Sequence, residues 1–521
     1  MTKLKQTNRQ TRWWVWSNYI YISLAVMVVL VWSHGAVAQE TASIIDIDPK
    51  LKEILDTIWL VIAGSFVFFM NAGFCLLETG FCRKQNAINI LAKNLVVFSI
   101  ATVAFWLFGV GLMFGGDNPW IGTGGFFFSG QDIFNFSYYD SLAMREAKFF
   151  FQLVFAGTAA SIVSRAVAER MKFVSFLLFS FLLVGLLYPI TGHWAWSESG
   201  WLTREGLLGS EKLKFWDFAG STVVHTVGGA AGLMGTIALG ARADKYCDIE
   251  PSEFDKLEPR QKTKFKKKIE PLNGHNITLA TLGCLIIWFG WFGFNAGSTL
   301  DATSPAIPHI FLTTTLAAAA AGISSIIFCF VRYGKPNLAF IINGIVGGLV
   351  SITAPCAYVS LLDAAVIGAV GGGILVPLLT ELLDSWEIDD PVGAIPVHFG
   401  CGLWGTLAVG LFSIGPDSGL GWAYAYGDGP AQGFLRGGNP SQLIVQGLGA
   451  YTVIIFILLS SRAILYLLNL VMPGGIRVSK QEEIEGLDKS TFEDKVQDVY
   501  QDQIDRLWEK LEDLERISKN N

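Results

Sequence analysis

Asp217-Phe218-Ala219-Gly220-Ser221-Thr222-Val223-Val224-His225 and Asp390-Pro391-Val392-Gly393-Ala394-Ile395-Pro396-Val397-His398 are one pattern written twice: an Asp, a Gly three residues on, and a Val-His pair at the seventh and eighth positions beyond the Asp. Gly229 and Gly402 extend the match, four residues past each His. Each copy stands at the head of a late member in a series of long apolar runs. A weaker pair, Asn71-Ala72-Gly73 and Asn295-Ala296-Gly297, lies in the first and sixth runs. Runs one to five and six to ten therefore read as two copies of one unit. Five is odd, so the second copy must cross a bilayer upside down, and inverted repeats place a binding or conduction path at their interface.

The runs themselves fix the class. Segments 55–80, 90–114, 149–168, 173–194, 217–240, 276–299, 306–331, 338–356, 359–383, 393–413 and 441–470 are apolar and of bilayer-spanning length. The expected fold is an all-α integral membrane protein with eleven transmembrane helices. Composition agrees: the 521 residues are 52% hydrophobic and only 16% charged, against about 25% charged in soluble domains. That excludes a disordered chain and an ordinary cytosolic enzyme. A net charge of −6 gives no basic footprint for nucleic acid. Cys75, Cys82, Cys284, Cys329, Cys356 and Cys401 sit in apolar runs, with no zinc-type spacing and no disulfide framework. No cofactor or metal motif and no activated nucleophile stands out.

The ends read differently. Residues 1–38 have the form of a signal peptide: Lys3, Lys5, Arg9 and Arg12, then Tyr19 to Trp32, then Ala36-Val37-Ala38 before Gln39. An uncleaved anchor helix is the alternative. Residues 39–241 hold an outer N-terminal segment and the first repeat, 242–275 a basic loop, 276–413 the second repeat, 414–472 an outer loop and the eleventh helix, and 473–521 a polar tail. In the tail, Ile504, Leu507, Leu511 and Leu514 follow a 3-4-3 spacing, a short coiled-coil seam or one amphipathic helix. Loop charge sets orientation. With the N-terminus outside, the inner loops hold 17 Lys and Arg and the outer loops after residue 114 hold 6, so the C-terminus lies inside. The acidic loop with Glu381, Asp384, Asp389 and Asp390 has no local cation to support that placement. The basic loop is either a docking site for a cytosolic partner or a solvated topology determinant.

Depth follows from helix rise. At 1.5 Å per residue each His lies about 12 Å beyond its Asp, near the centre of a core roughly 30 Å thick. Entering from opposite faces, the two can meet. Gly228, Gly229 and Gly232, and Gly400, Gly402 and Gly405, offer small faces for close packing. Ionisable groups at that depth mark pathways, so His225 and His398 are expected to line a pore. Asp217 and Asp390 are expected to cap helices, and Asp217 can add negative potential at the entrance. Trp194, Trp196 and Trp201 are belt residues or a cation site. Glu78 is expected to pair locally with Arg83.

These residues resemble the ammonium transporter family. Asn71-Ala72-Gly73-Phe74-Cys75-Leu76-Leu77-Glu78-Thr79-Gly80 is similar to the family's first span, and Ala168-Glu169-Arg170-Met171 to the segment after span three. The Asp217–His225 motif, Trp291-Phe292-Gly293-Phe294-Asn295-Ala296-Gly297-Ser298, and Asp389-Asp390-Pro391 with Val397-His398 complete it. The resemblance implies a trimer with one pore per subunit, in the plasma (inner) membrane. It implies ammonium or methylammonium as substrate, held outside by Trp196 and Ser298, with Trp194 as the competing tryptophan. Phe155 would add to that vestibule and stack with Phe294 to close the pore. His225 and His398 would form the paired histidines, and a PII-type protein would dock inside. The tail begins in the family manner at Gly475-Ile476-Arg477-Val478 but carries Thr491-Phe492-Glu493 where the family has a histidine-glycine pair.

The chemistry has a reason. Ammonium and potassium are of similar size, but only ammonium donates hydrogen bonds and can lose a proton. A bare cation in a medium of dielectric about 4 costs tens of kcal/mol, and a neutral amine far less. An ammonium group, like the Lys amine of pKa ~10.4, is protonated at neutral pH. A selective pore must recognise the cation outside and strip or relay its proton. Aromatic faces and a hydroxyl suit the first task, an imidazole pair the second. An ammonium sensor and a Rhesus-type ammonia or carbon dioxide channel are the rival readings.

Overall fold

The computed structural model describes residues 47–130, 141–203, 213–243, 245, 246, 256, 258, 274–416, 429–492, 506, 507 and 510. Residues 1–38, expected to be a signal peptide, most of the basic loop and, apart from Leu507, the heptad positions lie outside the described residues.

Among the described residues the regular structure is helical: α1 (Pro49–Phe81), α2 (Lys84–Phe114), α3 (Leu142–Ala166), α4 (Phe173–Trp196), α5 (Ser221–Leu239), α6 (Ile277–Gly297), α7 (Ala306–Tyr333), α8 (Leu338–Ile352), α9 (Leu361–Ser385), α10 (Ile395–Phe412), α11 (Ser441–Val471), and the short α12 (Lys480–Glu485) and α13 (Leu487–Thr491) of the tail. Capping residues set several starts. Asp48 accepts from the Lys50 and Leu51 amides ahead of Pro49, Ser141 and Asn276 cap α3 and α6, and Ser360 with Asp363 forms a capping box on α9. Side chains such as Leu95, Ile323, Leu459 and Leu470 are exposed on the outer surface, the composition a lipid-facing wall requires.

Ten of these helices are long and apolar enough to cross a membrane, and one of the eleven expected spans is a shorter apolar helix. The exception is α8. Its 15 residues rise only about 22 Å, short of the roughly 30 Å hydrocarbon core. Pro355 stops it, because its missing N–H and its ring cannot continue a helix. The turn that follows is tied to the start of α5. Ser221 Oγ donates to Val350 O and accepts from the Ala354 amide, while the Phe218 amide donates to Ala354 O.

Two features recur in matching helices. Wide, π-type turns occur at 183–187 in α4 and 371–375 in α9, and again at 221–226 in α5 and 395–400 in α10. The repeat glycines are also used alike. A Cβ at Gly229 would lie 2.4 Å from the Phe399 amide nitrogen, and one at Gly402 would lie 2.5 Å from Ser221 O. α5 and α10 therefore cross backbone to backbone beside the histidines. α1 and α6 do the same at Gly73 and Gly283, each facing the other's carbonyl at 2.8 and 2.5 Å.

The acidic loop is not without support: its cations come from elsewhere in the chain. Arg242 bonds both Asp389 and Glu169, Arg83 bonds Glu169, and Lys245 reaches Asp384 and Asp389. The tail closes over this cluster. Arg477 bonds Glu483, Leu239 O and Ala241 O, the Val478 amide donates to Arg170 O, and Asp488 accepts from the Ile88 and Asn89 amides at the head of α2. Glu78 does not pair with Arg83. Arg83 is taken by Glu169, and Glu78 instead accepts from Asn94 Nδ2 and Ser164 Oγ, both at 2.9 Å. Burial alone would raise Glu169 and Asp389, but Arg242 outweighs it, with Arg83 on Glu169 and with Arg170 and Lys245 on Asp389. Both carboxyls are held below the usual carboxylate range.

Two outcomes follow. A carboxyl depressed in the folded state adds stability that is complete above its unfolded value of about 4 and is lost as pH falls through the folded value. The thermal midpoint of the solubilised protein should therefore drop on acidification below about pH 4. Arg242→Gln should cost about 3–5 kcal/mol and shrink or reverse that acid slope, because burial then acts alone; an unchanged slope would argue against the cluster. Gly229→Ala should cost about 1–3 kcal/mol by overpacking against backbone, read as a lowered midpoint, whereas Gly447→Ala, whose Cβ meets nothing closer than 4.0 Å, should not.

Candidate functional site

Asp217 builds the first half of the site. One carboxylate oxygen accepts from the Gly220 and Ser221 amides at 2.9 and 2.8 Å, the other from Thr222 and Val223 at 2.8 and 2.9 Å. Four amides at a helix start have no helical partners of their own, and one side chain satisfies these. Gly220 makes the entry possible with φ 108°, a conformation that suits glycine. With all four bonds made and the residue 4% exposed, Asp217 is a cap. Asp390 repeats the device more loosely, accepting from Gly393 and Ile395 at 3.1 and 2.6 Å, with Gly393 at φ 77°.

Each cap leads into a wide turn that carries the histidine. His225 and His398 are fully buried. Their Nδ1 atoms are 3.2 Å apart and their rings lie 5.2 Å apart at 26°. π-type turns are frequent at functional sites, and here they turn both imidazoles toward one point.

A column of rings continues from this pair. His225 stacks on Phe294 at 5.3 Å and on Trp291 at 5.0 Å. Phe294 stacks on Phe155 at 4.1 Å and 25°. Phe155 meets the edge of Trp196 at 6.0 Å and 74°. The Trp196 indole N–H is taken by Asp217 O at 2.7 Å, which holds the ring in place. Ser298, one turn beyond Phe294 at the end of α6, donates its hydroxyl to Phe294 O at 2.8 Å; its lone pairs stay available as acceptors. Trp194 stands elsewhere, with its N–H on Trp120 O and its ring against Trp201 and Phe456. The structure thus joins Trp196, Phe155, Phe294, His225 and His398 in one sequence of contacts and leaves Trp194 out.

Two residues escaped the sequence reading. Trp291 was quoted in a motif without a role, yet it stacks on His225 and donates to Thr353 Oγ1 at 3.0 Å. Arg165 is one of the 17 cations in the inner-loop charge count and has no other mark in the sequence analysis. It is fully buried at the end of α3, with Nη2 2.6 Å from His398 Nε2 and its guanidinium 4.3 Å from the Phe74 ring centre. The cost of a charge at membrane depth, applied to Arg165 as it was to the histidines, would have found it. Among the described residues no group of three or more His, Cys, Asp or Glu could hold a metal ion.

Residues 58–497 match the family described as the Ammonium Transporter Family. The chain belongs to that family. Among this family's relatives, "Ammonium transporter Amt2" of Archaeoglobus fulgidus is 39% identical, covering 90% of this chain and 92% of that protein. "Ammonium transporter 1 member 3" of Solanum lycopersicum is 34% identical, over 85% and 93%. Among solved structures, a "Sensor Amt Protein" superposes with a TM-score of 0.71 at 33% identity, covering 85% of this chain and 100% of the other. Mep2 of Candida albicans gives 0.70 at 25% identity, over 85% and 91%.

Asp217→Asn replaces one of two acceptor oxygens and should leave two buried amides unpaired, at about 1–3 kcal/mol each. The expected readout is a loss of folded yield and a lowered thermal midpoint, with Asp390→Asn milder because it caps fewer amides. Equal effects at the two sites would contradict the capping account.

Proposed function

We propose that this protein transports ammonium, taking it up as a cation and passing it onward as ammonia. The ring column carries the reading: an indole and a phenyl ring stand before a stacked phenyl pair, and a bonded imidazole pair follows at once. The family and its named relatives support the substrate.

Trp196, Phe155 and the Ser298 hydroxyl recruit the cation. Ring faces attract a cation by up to about 2 kcal/mol or more when it is desolvated, and a hydroxyl oxygen accepts an ammonium N–H. Methylammonium keeps both handles and is a second substrate. Phe155 and Phe294, stacked at 4.1 Å, close the vestibule from the lane beyond. In the lane a charge has no water to hold it, whereas neutral ammonia enters at far lower cost. His225 and His398 line that lane and offer polar atoms to a molecule that has left its hydration shell. Potassium has no proton to shed and stays outside.

The repeated caps, wide turns and glycine contacts favour two five-helix units of opposite orientation, the first within 39–241 and the second within 276–413, packed around one pore. We place the chain in the plasma membrane with its N-terminus outside, as a homotrimer. The 242–275 face and the tail are the surface for a PII-type partner.

His225→Ala, reconstituted in proteoliposomes, should reduce ammonium uptake at least tenfold or remove discrimination against potassium. Uptake at the parent's rate with the parent's selectivity would overturn the role of the pair. Trp196→Ala should raise the half-saturating ammonium concentration several-fold with a smaller effect at saturation.

A further inference from the structure

We infer that Arg165 is a positioning residue that fixes the proton arrangement of the histidine pair, so that the pair presents an N–H to the lane and carries no proton across. This rests on the transport reading above and deepens it.

The argument is one of donors and acceptors. A guanidinium only donates and keeps its proton. With Arg165 Nη2 2.6 Å from His398 Nε2, that nitrogen must be the acceptor. A neutral His398 then carries its proton on Nδ1. Its Nδ1 faces His225 Nδ1 at 3.2 Å, so His398 donates and His225 accepts. The proton of His225 is left on Nε2, which is buried and has no partner among the described residues. Both bare ring nitrogens are already occupied, one by Arg165 and the other by His398. Neither imidazole keeps a free lone pair to take a proton from ammonium. What the pair does offer is the Nε2–H of His225, which suits the lone pair of neutral ammonia.

Arg165 is free to play this part because its charge is not consumed by an ion pair. The carboxylates near it are Glu78 and Asp390. Glu78 is bonded by Asn94 and Ser164, and Asp390 by the Gly393 and Ile395 amides. The guanidinium lies instead over the Phe74 ring at 4.3 Å, and its Nε is buried without a partner among the described residues. Phe74 also meets His398 edge-on at 6.4 Å. A buried cation is thus held against the imidazole pair, on the side away from Phe294. It also repels any permeant that arrives there still charged. The proton balance is simple: ammonium releases a proton to water on the outer side, ammonia crosses, and it takes up a proton from the lumen.

The test uses the full chain with 15N-labelled histidine. NMR should find His398 protonated at Nδ1 and His225 at Nε2 in a single arrangement. Arg165→Met keeps a side chain over Phe74 but removes donor and charge; it should populate both arrangements. Arg165→Lys should restore the first and, if the Met variant fails to fold, is compared with Arg165→Gln. In proteoliposomes, ammonium uptake by the parent should alkalinise the lumen by one proton per ammonium and pass no net current. Arg165→Met should carry current, or lose at least tenfold in discrimination against potassium. His398 protonated at Nε2 in the parent, an unchanged arrangement in Arg165→Met, or one charge moved per ammonium by the parent each overturns the inference. A parent that moves no ammonium refutes the transport reading, and the NMR arrangement still decides the role of Arg165.

Discussion

A charge cannot cross an apolar slab at a cost thermal energy can meet, and every polar group placed inside the slab must be bonded within the protein. The bond between His225 Nδ1 and His398 Nδ1 at 3.2 Å is where this chain meets the second demand for two ring nitrogens at once. Two imidazoles bonded to each other satisfy one nitrogen on each ring without water. Their approach requires α5 and α10 to cross with backbones in contact, hence Gly229 and Gly402. It requires both helices to start at the right depth, hence the carboxylate caps Asp217 and Asp390. It also requires the wide turns that aim the rings.

The surrounding rings follow from the same demand. Trp291 and Phe294 lie flat against His225, so the imidazole is held by stacking where it has no second hydrogen bond. Away from the histidine pair, charge is gathered at one face. Glu169, Arg242, Asp389 and Arg83 form a buried network there, and the tail segment from Ile476 to Thr491 is bonded onto it and onto the head of α2. The polar groups that the spans exclude are thus used to fasten loops together.

Much of this could be read from one chain, for identifiable reasons. Apolar runs place the helices because lipid rewards length and apolarity alone. The doubled Asp-Gly-His pattern exposes the crossing helices because both repeats solve the same capping and packing problem. What stayed hidden is pairing across long stretches of sequence. Glu78 was assigned to Arg83, five residues away, but its partners are Asn94 and Ser164. Arg242 finds Asp389 147 residues on. Arg165 meets His398 across 233 residues; its place in an apolar run marks it as costly but does not name the partner. The shortness of α8 was masked as well, because hydropathy runs on past Ile352 while Pro355 ends the helix.

That short helix has a mechanical consequence. The turn after α8 is fastened to the start of α5 by Ser221 Oγ, which bonds Val350 O and the Ala354 amide, and by the Phe218 amide on Ala354 O. A tilt of α8 is therefore passed directly to the helix that carries His225, and the two behave as one lever.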